Sequence, residues 1–327
     1  MKACGPSMAA SWGGMRGLGT IVRCKGRRLL GQFRGSASRH ATRLGIASLL
    51  SFIAIVAIAG SMVWAGNEVR AENESVSIKR SSERTTFSDA EIADGFFKIA
   101  FGAELRLAGG ANRVRKFDGP VRVFLDNRAH ANRRADIAAV ISDIRTYVDR
   151  LDIALTEDRN AANIVVTLVR DHDALVRTMR SLYGRKRADE IARRLTPRCL
   201  SGFGEDGQHR IRRAEVLLTS DEGDFNFLDC AYEELLQALG PINDDRSVPW
   251  TMFNDDVQMG YFDVYDQYIL NILYDARVRP GMTRREIEVL LPDILPGIRE
   301  WIFNANSVRQ LGASNDSGRW SNSPLLE

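Results

Sequence analysis

The stretch Leu44–Ala65 (LGIASLLSFIAIVAIAGSMVWA) constrains this chain more than any other part of it. It is nearly all apolar, and no charge appears from Leu44 to Asn67. As a helix rising about 1.5 Å per residue, it is long enough to cross a hydrocarbon core roughly 30 Å thick. A buried core helix is the other use for such a segment. The flanks argue against that use, because Lys2, Arg16, Arg23, Lys25, Arg27, Arg28, Arg34, Arg39 and Arg43 precede it and no acid does. Cations before an apolar span hold that side in the cytoplasm and send the remainder across. Two readings stand. Residues 44–66 are an uncleaved anchor, giving a single-pass inner-membrane protein with an exported periplasmic domain. Alternatively they are a secretory signal with a long basic region, cut near Val69-Arg70-Ala71, and the domain is secreted to the periplasm.

The charge is as uneven as the hydropathy. The formal net charge is +3, from 45 basic and 42 acidic residues. The arm over 1–43 alone holds +9, which leaves −6 on everything after it. A nucleic-acid partner would need a basic face on the folded part, so none is expected. Export also sorts the four cysteines. Cys4 and Cys24 lie in the cytoplasmic arm, whereas Cys199 and Cys230 lie where disulfides persist. Cys199 and Cys230 are expected to pair, the other possibility being two separate buried thiols.

Residues 67–86 are polar and read as a linker. The folded domain is expected over 87–303, with a disordered Ser-, Asn- and Gly-rich tail over 304–327. Ser88-x-x-Glu91 is a capping box, with Phe87 placed to staple on Ile92, and the helix it opens is expected to reach Leu105. Val121–Leu125, Asn163–Val169 and Ile211–Thr219 read as strands. Helices are expected over Arg134–Leu151, Asp171–Leu182, Lys186–Leu195, Asn226–Leu239 and Asp263–Tyr274, and another is capped by Thr283-x-x-Glu286 and reaches Pro292. This makes an α+β domain, with helices packed on a small mixed sheet. Gly202-x-Gly204-x-x-Gly207 has dinucleotide spacing but follows no expected strand, and Glu205 and Asp206 would repel a phosphate.

The segment from Cys230 to Asp256 (CAYEELLQALGPINDDRSVPWTMFNDD) carries the functional argument. At helical spacing Leu228, Ala231, Leu235, Ala238 and Leu239 form a core face. Glu233 and Gln237 lie on another face, with Glu234 beside them. Gly240 ends the helix, Asn243 and Asp244 sit on its exit turn, and an apolar loop through Met252 follows. Asn254, Asp255 and Asp256 come next, placed either to pair with Arg277 or Arg279 or to face a cleft. The frame Glu233-Glu234-x-x-Gln237-x-x-Gly240-x-x-Asn243-Asp244, then Met252, resembles the metzincin-type zincin metallopeptidase motif. The residues over about 85–303, with Leu273-Tyr274-Asp275-x-Arg277-x-Arg279-Pro280-Gly281-Met282 as a second hallmark, also resemble an uncharacterised family of envelope lipoproteins of Gram-negative bacteria. The zincin resemblance implies a zincin-like fold, a general-base role for Glu234 and a buried Met turn.

All three metal-binding histidines of that motif are replaced here, by Glu233, Gln237 and Asn243. Hydrolytic zinc needs imidazoles or a close equivalent, and an open position for water whose pKa the metal lowers. A carboxylate and two carboxamides are hard oxygen donors that hold zinc poorly. No metal or other cofactor is therefore expected, and no catalytic residue, with Glu234 the one candidate if the domain is active. Glu233, Gln237, Asn243, Asp244, Asn254, Asp255 and Asp256 are instead candidates for binding. The expected function is a pseudo-metallopeptidase domain with a binding or scaffold role, tethered to the membrane through Leu44–Ala65. Its partner would be an envelope protein, a peptide or a glycan. The alternative is a metal-dependent hydrolase or peptidase with unusual ligands.

Overall fold

A computed structural model describes residues 73–102, 112–195, 197–241 and 243–317. The basic arm, Leu44–Ala65 and the cleavage position lie outside the described residues. Among the described residues no helix is long and apolar enough to cross a membrane.

The described residues form eight helices and five strands. In chain order these are α1 (Glu74–Ser81), α2 (Asp89–Ala100), β1 (Val121–Asn127), α3 (Arg134–Tyr147), β2 (Ile153–Leu155), β3 (Ile164–Val169), α4 (His172–Tyr183), α5 (Arg185–Leu195), β4 (Cys199–Glu205), β5 (Ile211–Thr219), α6 (Asp224–Ala238), α7 (Val264–Tyr274) and α8 (Arg284–Ser317). The strands make one sheet in the order β2-β1-β3-β5-β4. Four run parallel, and β4 lies antiparallel to β5 at the edge. The sheet is mixed, as expected. Its strands alternate with helices, so the class is mixed α/β rather than strands and helices segregated along the chain.

Alternation of side chains gives the sheet two buried faces. On one face Val121, Val123, Ile164, Val166, Ala214, Val216 and Leu218 pack with the helices of the main core. On the other, Val169, Leu200 and Leu217 pack with Leu175 and Met179 of α4 and Ala188 and Ile191 of α5. The stripe expected over Arg134–Leu151 is present, with Ile137, Val140, Ile141, Ile144 and Val148 buried. The helix stops at Tyr147 because Val148 turns extended toward β2.

The capping box forms as read. The Ser88 N–H and hydroxyl donate to Glu91 at 2.8 Å, and the Glu91 N–H donates to Ser88 Oγ at 3.3 Å. These bonds, with Arg84, hold the Glu91 carboxyl down at about 2. The helix ends at Ala100 rather than Leu105; residues 103–111 lie outside the described residues.

Further expectations differ from the structure. The segment read as a linker contains α1, whose Val76 is buried. Its polar neighbours are also engaged: the Glu83 carboxylate accepts the Val264 N–H, and Arg84 stacks on Phe87 and Trp250. The C-terminal helix runs through Pro292 and Pro296 to Ser317, into the stretch read as a disordered tail. Ile287, Leu291, Ile294, Leu295, Ile298 and Ile302 keep one face buried across both prolines, which offsets the lost backbone bonds. Strands β2 and β4 were not expected. β2 has three residues, and β4 contains Gly202 and Gly204, which hide its alternation.

One buried cation ties the sheet side of the chain to α7. Lys116 donates to the carbonyls of Leu273 and Val278 at 2.7 and 2.8 Å, satisfying groups at the end of α7. Burial lowers its pKa to about 8, against the opposing pull of Asp118 and Asp275.

Candidate functional site

The site is assembled where β5 turns into α6. The chain leaves Thr219, turns through Gly223 at φ +88°, and enters the helix that carries Glu233, Glu234 and Gln237. The expected core face is there: Ala231, Leu235, Ala238 and Leu239 are fully buried, and Leu228 packs against the core at its margin. Gly240 follows with φ +138°, and a Cβ there would stand 2.3 Å from the Arg115 carbonyl oxygen. Only glycine fits that turn. The disulfide joins Cys199 of β4 to Cys230 of α6, so edge strand and helix are linked covalently beside the site.

The polar face of α6 is not solvated. Glu234 and Gln237 are each only 5% exposed. The Gln237 carboxamide is held at both ends. Its oxygen accepts the Ser201 hydroxyl at 3.1 Å, and its nitrogen donates to Asp244 Oδ1 at 3.1 Å. Edge strand, helix and exit turn are thus connected through one side chain. Glu233 lies beside this chain, and its carboxyl is pushed well above the ordinary range. Burial is the main cause, and the charges of Glu234, Asp244, Asp229 and Asp255 add to it. Asp229 is raised too, chiefly by burial, while it accepts the N–H groups of Met259 and Gly260 at 2.7 and 3.2 Å.

Asn243 does not join this group by hydrogen bonding. Its amide donates to the Lys98 carbonyl at 2.8 Å, and its side chain occupies the space where a Cβ on Gly102 would be. Asn254 is buried and shapes its own loop, donating to the Val248 carbonyl at 2.9 Å and accepting the Asp256 N–H at 3.0 Å. Asp255 and Asp256 do not pair with Arg277 or Arg279. Both lie near Arg246, at 3.5 and 3.7 Å, while Arg277 is engaged by Asp275. Of the seven candidate binding residues, Glu233, Gln237, Asp244 and Asp255 belong to one electrostatic neighbourhood. Asn243 and Asn254 brace the loops around it, and Asp256 lies at its exposed rim. Among the described residues no three His, Cys, Asp or Glu side chains converge as a metal-holding group.

Three participants escaped the sequence reading. Ser201 sits on the unrecognised β4. Asp263 and Asp266 open α7 beneath the Met252 loop. The Asp266 carboxylate accepts the Thr251 hydroxyl and the Met252 N–H, the latter at 2.8 Å, while Asp263 accepts the Asp266 N–H at 3.0 Å. Asp263 is 2% exposed and Asp266 0%. Burial raises both, Asp266 to about 6 and Asp263 well above its ordinary range, where its neighbour's charge adds to the effect. The spacing Asp-x-x-Asp at a helix start was the signal that could have found them.

A five-stranded mixed sheet with a buried polar helix face beside its edge strand defines an α/β domain that offers a fixed array of donors and acceptors. The family model described as "Protein of unknown function (DUF2927)" matches residues 89–293, more than half of the chain. The chain belongs to that family. No curated protein matches it significantly.

Proposed function

We propose that the domain is a zincin-like scaffold turned from hydrolysis to binding, held outside the cytoplasm by Leu44–Ala65 or released there after cleavage. The observation that carries this reading is the engagement of Gln237. At the position where the zincin frame would place an imidazole, a carboxamide is tied to Ser201 on one side and to Asp244 on the other. Asn243, at the third such position, is committed to the end of α2. The order of sheet, motif helix, buried Met loop and C-terminal helices supports the scaffold, and the Ser201–Gln237–Asp244 chain supports a role in recognition. An extended peptide of the envelope suits the place, because among the described residues no strand pairs with the outer side of β4. Edge strands recruit such partners through backbone hydrogen bonds.

A second reading, a hydrolase with a hard cation on unusual ligands, draws on the crowding of carboxylates around Glu233. One set of measurements separates the two. Binding predicts that full-length protein purified in detergent holds no stoichiometric metal and cleaves no generic peptide, with or without chelator. Glu234→Gln then keeps the cellular phenotype of the wild type, whereas Gln237→Leu loses it. One equivalent of tightly held metal, or a Glu234→Gln phenotype equal to a deletion, would reject binding in favour of catalysis.

A further inference from the structure

On the sheet face covered by α4 and α5, opposite α6, a crevice of about 420 Å³ opens at the carboxyl ends of the neighbouring parallel strands β1 and β3. Arg128 follows the last residue of β1, with His130 just beyond it, and Arg170 follows the last residue of β3. Arg177 and Ser181, one helical turn apart on α4, form the facing wall. Three guanidiniums and an imidazole therefore line one concavity, and no carboxylate lines it.

Two of these cations are partly spent. Arg128 pairs with Asp126 at 2.6 Å and Arg170 with Asp171 at 2.7 Å. Arg177 and His130 close no ion pair or hydrogen bond among the described residues. The folded part of the chain carries net negative charge, so a crevice lined by three arginines and no carboxylate is not a by-product of overall basicity. Crevices outside the carboxyl ends of parallel strands are the usual ligand positions of α/β sheets. Guanidinium forks suit planar or tetrahedral oxyanions, which they bind through paired hydrogen bonds.

We propose that this crevice binds a phosphate-bearing small anion, with Arg177 as its principal contact and Arg128 and Arg170 exchanging an aspartate oxygen for a phosphate oxygen. The site is separate from the group around Gln237 and does not depend on how that group is used. The test is hydrogen–deuterium exchange of the full-length chain, read by mass spectrometry at matched ionic strength with pyrophosphate or chloride. A peptide-resolved readout is needed because the nine-cation arm also attracts anions. Pyrophosphate is expected to slow exchange in peptides covering 126–132 and 170–182. Arg177→Gln is expected to raise the concentration for half-maximal protection about tenfold, the loss typical of one charge-assisted contact. Arg246→Gln, an exposed arginine elsewhere, is expected to change nothing. Glycerol 3-phosphate, run in parallel, distinguishes a headgroup-like monoester from a free polyphosphate by which of the two protects at lower concentration. Protection confined to residues 1–43, or protection of 170–182 that is unchanged in an Arg177→Gln protein of wild-type melting temperature, would overturn the proposal.

Discussion

Asp266 and Asp263 sit three residues apart at the start of one helix, fully buried, and they do different work. Asp266 receives the Thr251 hydroxyl and the Met252 N–H, so it fixes the loop that covers the motif helix. Asp263 caps the helix with a carboxyl that burial and its neighbour's charge push well above its ordinary range. Asp263→Asn removes a charge that burial disfavours, keeps a good cap and is expected to leave the melting temperature nearly unchanged. Asp266→Asn turns one of its two acceptor oxygens into an amide donor facing another donor, and is expected to cost about 1–3 kcal/mol in a denaturant titration. The pair also sets a pH dependence. The Asp266 pKa rises from an unfolded value of about 3.8 to about 6 on folding. Its contribution is therefore fully present below pH 4 and is lost as pH climbs to 6. Melting temperature measured across that interval is expected to fall, and Asp266→Asn is expected to flatten the slope. Gly240→Ala belongs to the same scale. The new methyl would meet the Arg115 carbonyl in a left-handed turn, and a loss of about 1–3 kcal/mol is expected in the same titration.

At the scale of elements, what the sequence made legible follows a physical pattern. Helices with a full apolar stripe, such as α3, or with a side-chain cap as well, such as α2, were readable because the code for them is local. The motif helix was readable on its core face and misleading on its polar face. Periodicity shows that Glu233 and Gln237 lie away from Leu235, but not that β4 and the Asp244 turn close over them. β4 itself was invisible, since Gly202 and Gly204 remove the alternating side chains that mark a strand, and Ser201 disappeared with it. The pairing of Cys199 with Cys230 was expected from reading both as exported residues, and its consequence is measurable. In the chain-entropy model, closing this loop over a separation of 31 residues stabilises the fold by about 3–4 kcal/mol. Cys199→Ser with Cys230→Ser is expected to lower the denaturant midpoint accordingly. Free-thiol labelling of the unreduced wild type is expected to find neither cysteine. Two reactive thiols at these positions would contradict the bond.

On the scale of the whole molecule, the ordered domain begins earlier and ends later than its most hydrophobic segments imply. Val76 is buried, Glu83 takes the first N–H of α7, and Arg84 lies over Phe87 and Trp250. A chain starting at residue 87 is therefore expected to melt below one starting at residue 73, by a margin that circular dichroism resolves. Equal melting temperatures would return this stretch to the role of a spacer. The sequence could not settle the point, because ESVSIKRSSER has the composition of a solvated connector. Its contacts with Phe225, Trp250, Tyr261 and Val264 are made to residues more than a hundred positions away.

Lys116 carries a consequence for how such a molecule is born. Its ammonium donates to carbonyls 157, 159 and 162 residues further along. Until Val278 has left the ribosome, that cation has no nest to occupy, and burying it alone would be costly. The sheet can collapse early, but closure waits for the last third of the polypeptide, and a fragment ending before Val278 inherits an open seam.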